Sequence, residues 1–212
     1  MDLLIFDLDG TLIDSKQDIV NGVNAARAHL GLAALDVPTV ASYVGNGAPV
    51  LIRRALGPDA SAATVTEALE FFVKFYHANH SVHTRLYDGV RESLDAWHAA
   101  GKTLAVLTNK PVNISQAIIN GFGFDRHFFK IYGGDSFAEK KPNPVGITTL
   151  MQEAGIAAER TVMVGDSAVD MQTARNAGVM ACGVSYGFQP ESLLIHPPDL
   201  LVDDLRQLLG RF

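Results

Sequence analysis

Five short apolar runs, at residues 3–6, 103–107, 128–132, 161–164 and 179–184, recur along the chain, each bounded by turn-forming residues. Runs of this length suit strands buried on both faces. Helical patterns lie between the later runs: Val90, Leu94 and Trp97 ahead of Gly101, 112–120 closing at Gly121, about 144–154 stopping at Gly155, and 168–177 stopping at Gly178. Glycine is the residue that best ends a helix. Alternating buried strands and helices predict an α/β fold with a Rossmann-like parallel sheet. In such a fold the crossovers are right-handed and ligands bind at the carboxyl ends of strands.

One segment departs from the alternation. Between Asp14 and about His83 no buried strand is legible, whereas Ile19, Val20, Val23, Ala26 and Leu30 follow a helical stripe with Ser15 placed to cap it. Leu69, Phe72, Val73 and Tyr76 mark another helix over 64–80, and a loop at 44–48 leads into a short helix over 49–56. The expected organisation is an α/β catalytic core of residues 1–13 and 84–212, with a helical cap, 14–83, inserted after the first strand.

The length of 212 residues accommodates one such core and one insertion. Seventeen basic and 23 acidic residues give a net charge of −6, which provides no broad basic field for nucleic acid phosphates. No apolar stretch approaches the roughly 20 residues of a membrane span, and the apolar run after Asp2 is too short for a signal sequence. The single cysteine, Cys182, can form no internal disulfide and suits a reducing compartment. The expectation is a cytoplasmic monomer or homodimer that binds neither nucleic acid nor membrane.

The strand ends carry the chemistry. The first run delivers Asp7-Leu8-Asp9-Gly10-Thr11, where side-chain alternation places Asp7 and Asp9 on one side and Gly10 permits a sharp turn. Two such carboxylates repel each other unless a cation or a shared proton intervenes, and hard oxygen ligands favour magnesium. The second strand ends in Thr108-Asn109-Lys110, Lys140-Lys141-Pro142 precedes a helix, and the fourth strand ends in Gly165-Asp166-Ser167-Ala168-Val169-Asp170. A hydroxyl and an ammonium beside several acids form the inventory for binding a phosphate dianion through a metal.

In these motifs the chain resembles the haloacid dehalogenase superfamily of phosphohydrolases. Asp7-x-Asp9-Gly10-Thr11 stands as the first motif, Thr108 as the second, Lys141 as the third and Gly165-Asp166-x-x-x-Asp170 as the fourth. Within it the chain is most similar to the phosphoglycolate phosphatase group, through Val44-Gly45-Asn46-Gly47-Ala48 and Thr108-Asn109-Lys110-Pro111. The resemblance implies a haloacid dehalogenase-like core with a helical cap. It also implies a magnesium-dependent phosphomonoesterase whose substrate is a small phosphomonoester, 2-phosphoglycolate first. Other sugar-phosphate phosphatases, a phosphomutase and a non-turnover phosphate-sensing module are the alternatives.

The same resemblance assigns roles. Asp7 attacks phosphorus, becomes an aspartyl phosphate and binds the metal. Asp9 protonates the leaving alkoxide and then activates water, so its surroundings must favour the protonated acid during part of the cycle. Its backbone carbonyl is a metal ligand, and Asp166 completes the Mg2+ site. Thr108 and the Asn109 backbone hold phosphate oxygens. Lys141, chosen over Lys140 because the family's lysine directly precedes proline, neutralises nucleophile and phosphate. Asp170 orients Lys141 or a metal-bound water, Lys110 is read as peripheral, and Gly45, Asn46 and Gly47 reach the leaving group. His77, His80 and His83 repeat every third residue, a spacing that drifts around a helix and is not read as a metal site.

Overall fold

The computed structural model describes residues 1–212. It divides into two units, one formed by Met1–Asp14 and Leu86–Phe212 and the other by Ser15–Arg85. The sequence expectation for the inserted segment was 14–83.

In the first unit, strand β1 (Leu3–Phe6) is followed by the two-residue strand β2 (Ile13–Asp14), which pairs with β3 (Arg85–Leu86). The chain then runs α5 (Val90–Ala99), β4 (Thr103–Leu107), α6 (Val112–Gly121), β5 (Phe128–Tyr132), α7 (Val145–Ala154), β6 (Thr161–Gly165), α8 (Ala168–Ala177), β7 (Met180–Val184) and β8 (Leu200–Val202). Helices α1 to α4 belong to the second unit. The six-stranded sheet has the order β5-β4-β1-β6-β7-β8, with every neighbouring pair parallel. The α/β, Rossmann-like expectation is borne out.

Burial on both faces explains the uninterrupted apolar runs. Leu3 and Ile5 point to one side, where they join Ala105, Leu107, Ile147, Leu150, Met163 and Met171 in a continuous core. Leu4 and Phe6 point to the other, and the Phe6 ring lies 5.6 Å from that of buried Trp97 on α5. Strand β1 occupies the middle of the sheet, between β4 and β6 in matched register from Leu3 to Phe6. The residues that follow β1, β4 and β6 therefore emerge side by side at one edge. No helix is long and apolar enough to cross a membrane.

The second unit consists of α1 (Lys16–His29), α2 (Val37–Ser42), α3 (Ala48–Leu56) and α4 (Ala62–Asn79). Ile19, Val20, Val23 and Ala26 are buried on α1, as are Val65, Ala68, Phe72 and Tyr76 on α4. These two helices approach so closely that a Cβ on Gly22 would stand 2.9 Å from the Phe72 ring. Three local readings need correction. Val73 is exposed, since it lies about 100° around α4 from Phe72 and beyond the edge of the buried face. Leu30 falls at the C-terminal cap, and the Ser15 side chain makes no capping bond. Short α2, only six residues long, was not read from the sequence; Asp36 starts it by accepting a hydrogen bond from Thr39 N–H at 2.8 Å.

Asp18, buried in the first turn of α1, ties the return of the chain to that helix. Its carboxylate accepts from His83 N–H at 3.0 and 2.9 Å, from Thr84 N–H at 2.9 Å and from the Thr84 hydroxyl at 2.8 Å. Each buried donor left without its partner costs about 1–3 kcal/mol. Asp18→Ala should therefore speed amide hydrogen exchange at His83 and Thr84 by at least about tenfold. Unchanged protection would show that these amides are held by something else.

Candidate active site

The turn after β1 is set by backbone bonds. The Asp7 N–H continues the ladder to Val164 at 2.9 Å, the Leu8 carbonyl accepts from Thr11, Leu12 and Ile13, and the Gly10 N–H donates to the Ile13 carbonyl at 2.9 Å. Gly10 has φ +84°, and a Cβ there would stand 2.2 Å from an Asp166 carboxylate oxygen. Glycine is thus required twice, by conformation and by space. Leu8 is buried, so the turn anchors Asp7 and Asp9 through the apolar residue between them.

Lys141 lies at the centre. Its Nζ is 2.9 Å from Asp7 Oδ1 and 2.6 Å from Asp170 Oδ1, and the residue is 6% exposed. Neighbouring Lys140 is exposed. The Lys141 backbone is pinned by Asn109 in both directions, since Asn109 Nδ2 donates to its carbonyl at 3.1 Å and its N–H donates to Asn109 Oδ1 at 3.0 Å. Asp170 Oδ2 accepts from the Ser167 N–H at 3.1 Å and the Ser167 hydroxyl at 2.7 Å. Asp170 therefore both stabilises the first turn of α8 and holds Lys141.

Asp7, Asp166 and Asp170 are all buried and bring carboxylate oxygens within 4.8 Å of one another. Burial pushes the Asp7 carboxyl up to about 6; Lys141 opposes this, while Asp170 and Asp9 add to it. Burial, followed by the charges of Asp170 and Asp7, also holds Asp166 well above the ordinary carboxylate range. Burial works against the Lys141 charge, but the Asp170 and Asp7 carboxylates outweigh it and keep the ammonium above its usual range. When ionised, three carboxylates face one ammonium and leave a charge of about −2. Hard oxygen donors with that deficit fit a divalent cation such as Mg2+.

Thr108, buried at the end of β4, bonds through its N–H to the Tyr132 carbonyl at 3.0 Å, and its hydroxyl accepts from Lys110 N–H at 3.3 Å. Lys110 corrects the sequence reading. Far from peripheral, its Nζ sits 2.8 and 3.1 Å from the two Asp9 carboxylate oxygens and is almost wholly shielded from solvent. The signal was present in a lysine at a strand end beside acids, but nothing in the sequence shows which acid it meets. The structure thus brings together Asp7, Asp9, Thr108, Asn109, Lys141, Asp166 and Asp170. Gly45, Asn46 and Gly47 lie in the second unit, in the loop ahead of α3, with φ +112° at Gly45 and +84° at Gly47. His77, His80 and His83 form no metal-binding group.

The model of the haloacid dehalogenase-like hydrolase family matches residues 4–184. The chain belongs to this family. It is a hydrolase. A phosphoglycolate phosphatase of Pseudomonas fluorescens is 40% identical over 213 residues, covering 98% of this chain and 78% of that protein. One from Vibrio vulnificus is 40% identical over 214 residues, covering 98% and 94%. Among solved structures, a predicted phosphoglycolate phosphatase from Haemophilus somnus superposes with a TM-score of 0.94 at 33% identity, covering 100% of this chain and 97% of that one.

The Asp7 shift gives a pH test. Between its ordinary value of 3.8 and about 6 the folded protein keeps a proton that the unfolded chain has released. Stability therefore falls as pH rises through that window, by on the order of 3 kcal/mol from this group. In chelator, Asp7→Asn should gain stability over the native chain as pH goes from about 4 to about 6, and Mg2+ should close the gap by stabilising the native chain. Urea midpoints at both pH values measure it; a pH-independent difference would contradict the assignment.

Proposed function

We propose that this chain is a magnesium-dependent phosphomonoesterase that hydrolyses 2-phosphoglycolate to glycolate and inorganic phosphate in the cytoplasm. The observation that carries the reaction class is the buried Asp7–Lys141–Asp170 arrangement with Asp166 beside it. The identity to the Pseudomonas and Vibrio phosphoglycolate phosphatases supports the substrate. The one cysteine, Cys182, is fully buried, which agrees with a reducing compartment.

A carboxylate of Asp7 attacks phosphorus as the bond to the substrate alkoxide breaks, and Asp9 gives its proton to that leaving oxygen. Asp7 then carries the phosphoryl group as an acyl phosphate. Water attacks this phosphorus, returning its proton to Asp9, and inorganic phosphate leaves with Asp7 restored. The Thr108 hydroxyl and Asn109 N–H bind phosphate oxygens throughout. Lys141, held by Asp170 and Asn109, neutralises the nucleophile before attack and the phosphoryl oxygens afterwards. Lys110 holds the Asp9 carboxylate when no substrate occupies the site, and Asp9 takes up the proton it donates once substrate opens that ion pair. Asp7, Asp166 and the Asp9 carbonyl would hold Mg2+, which supplies positive charge against the phosphate dianion. We assign the choice of leaving group to the Gly45-Asn46-Gly47 loop.

Phosphate release from a panel of small phosphomonoesters tests the proposal. Turnover should require Mg2+, be fastest on 2-phosphoglycolate, and fall at least about a thousandfold in Asp7→Asn. A different best substrate would keep the mechanism and reassign the metabolite. A phosphorylated chain with no turnover would overturn the hydrolase mechanism in favour of phosphate sensing.

A further inference from the structure

The segment after β7, Tyr186-Gly187-Phe188, lies across Asp166. The Phe188 N–H donates to Asp166 Oδ2 at 2.7 Å, while Thr11 Oγ1 stands 3.5 Å from Asp166 Oδ1. The Tyr186 hydroxyl donates to the Thr11 carbonyl at 2.9 Å, and its ring packs against that of Tyr87 with centroids 4.6 Å apart. Both flanks of the segment are tied down. The Ser185 N–H bonds to the Val202 carbonyl at 2.9 Å; the Ser192 hydroxyl donates to the Gln189 carbonyl at 2.7 Å and accepts from the Ala168 N–H at 2.9 Å.

Gly187 fills this strap for a reason of space. Its φ is not in the left-handed region, so alanine could adopt the same backbone. A Cβ there would stand 2.2 Å from Asp166 Cβ and 2.4 Å from Asp166 Oδ2. The strap therefore reads one carboxylate from two directions, with an N–H that grips one oxygen and a bare Cα that sets how close the backbone comes. Gly10 presses the same carboxylate from the turn after β1, with a Cβ distance of 2.2 Å. Two glycine backbones thus pack against Asp166 from two sides.

We infer that Tyr186-Gly187-Phe188 is a positioning element for the metal site, fixing the Asp166 carboxylate in its ligating orientation before any cation arrives. The inference rests on the reading of Asp166 as a Mg2+ ligand. Partners that orient a ligating carboxylate change metal affinity by about 10- to 100-fold when lost. Gly187→Ala pushes Asp166 out of register, and Tyr186→Phe cuts the tie between strap and turn while leaving the ring packing in place.

The experiment is calorimetric titration of Mg2+ into the native chain, Gly187→Ala, Tyr186→Phe and the control Gly121→Ala, whose added Cβ meets nothing within 4 Å. Thermal unfolding in chelator runs alongside. Gly187→Ala should weaken Mg2+ binding about 10- to 100-fold while still unfolding cooperatively in chelator at a somewhat lower temperature, and excess Mg2+ should restore turnover without moving the KM for the phosphomonoester. Tyr186→Phe should weaken Mg2+ binding by at least about threefold, and Gly121→Ala should match the native chain. Native affinity in a folded Gly187→Ala overturns the inference. If Gly187→Ala does not fold, native affinity in Tyr186→Phe overturns it instead. A native chain that takes up no Mg2+ removes the metal reading itself, and the inference with it, which separates that failure from failure of the strap alone.

Discussion

The ion pairs of Lys141 with Asp7 and Asp170 are the contact on which the site depends. All three groups are buried, and a buried charge without a partner is far more costly than one held at hydrogen-bond distance. The ammonium, carried by the loop before α7, is shared at 2.9 and 2.6 Å between Asp7 after β1 and Asp170 in the first turn of α8. The three segments stand beside one another because β1 lies in the middle of a parallel sheet. Asn109, from the end of β4, closes the arrangement by holding the Lys141 backbone rather than its charge. Four segments distant in sequence are thereby fixed around one nitrogen.

The fold was legible because burial on both faces leaves no ambiguity in strands such as Thr161–Gly165 and helices such as Ala168–Ala177, which end at glycines suited to the turn. The elements that sequence did not reveal are those with little apolar burial of their own. Strand β8 has a single buried residue, Val202, and β2 and β3 are two residues each, so neither leaves a period to read. Val73 was misplaced for a related reason. A helix with apolar residues on several sides does not declare which one its neighbour covers, and here Gly22 of α1 admits Phe72 and turns Val73 to solvent.

The site separates along another line. Asp7, Asp9, Thr108 and Asp166 follow strand ends, Lys141 precedes α7 and Asp170 opens α8, and residue type, spacing and the family resemblance together singled them out. Contacts made by backbone atoms or between distant side chains were not readable. The Phe188 N–H on Asp166 carries no side-chain signature, and the meeting of Lys110 with Asp9 spans 101 positions. Choosing Lys141 over Lys140 by its place before proline agrees with the geometry, since only Lys141 is buried against the acids.

The charge balance also sets what folding costs at this site. Folding the chain gathers three carboxylates around one ammonium, and the raised values of Asp7 and Asp166 are the measure of how poorly that ammonium alone compensates them. Part of the folding free energy is spent on an arrangement whose repulsion a proton or a cation relieves. Any ion bound by the folded chain and not by the unfolded one returns stability in proportion to the logarithm of its concentration over its dissociation constant. The rigid sheet edge, the Asn109 clamp and the glycines packed on Asp166 prevent the carboxylates from relieving their repulsion by moving apart. Confinement of that kind favours a cation and, once the cation is present, a phosphate dianion. The groups whose mutual repulsion costs folding free energy are therefore the ones suited to hold a cation.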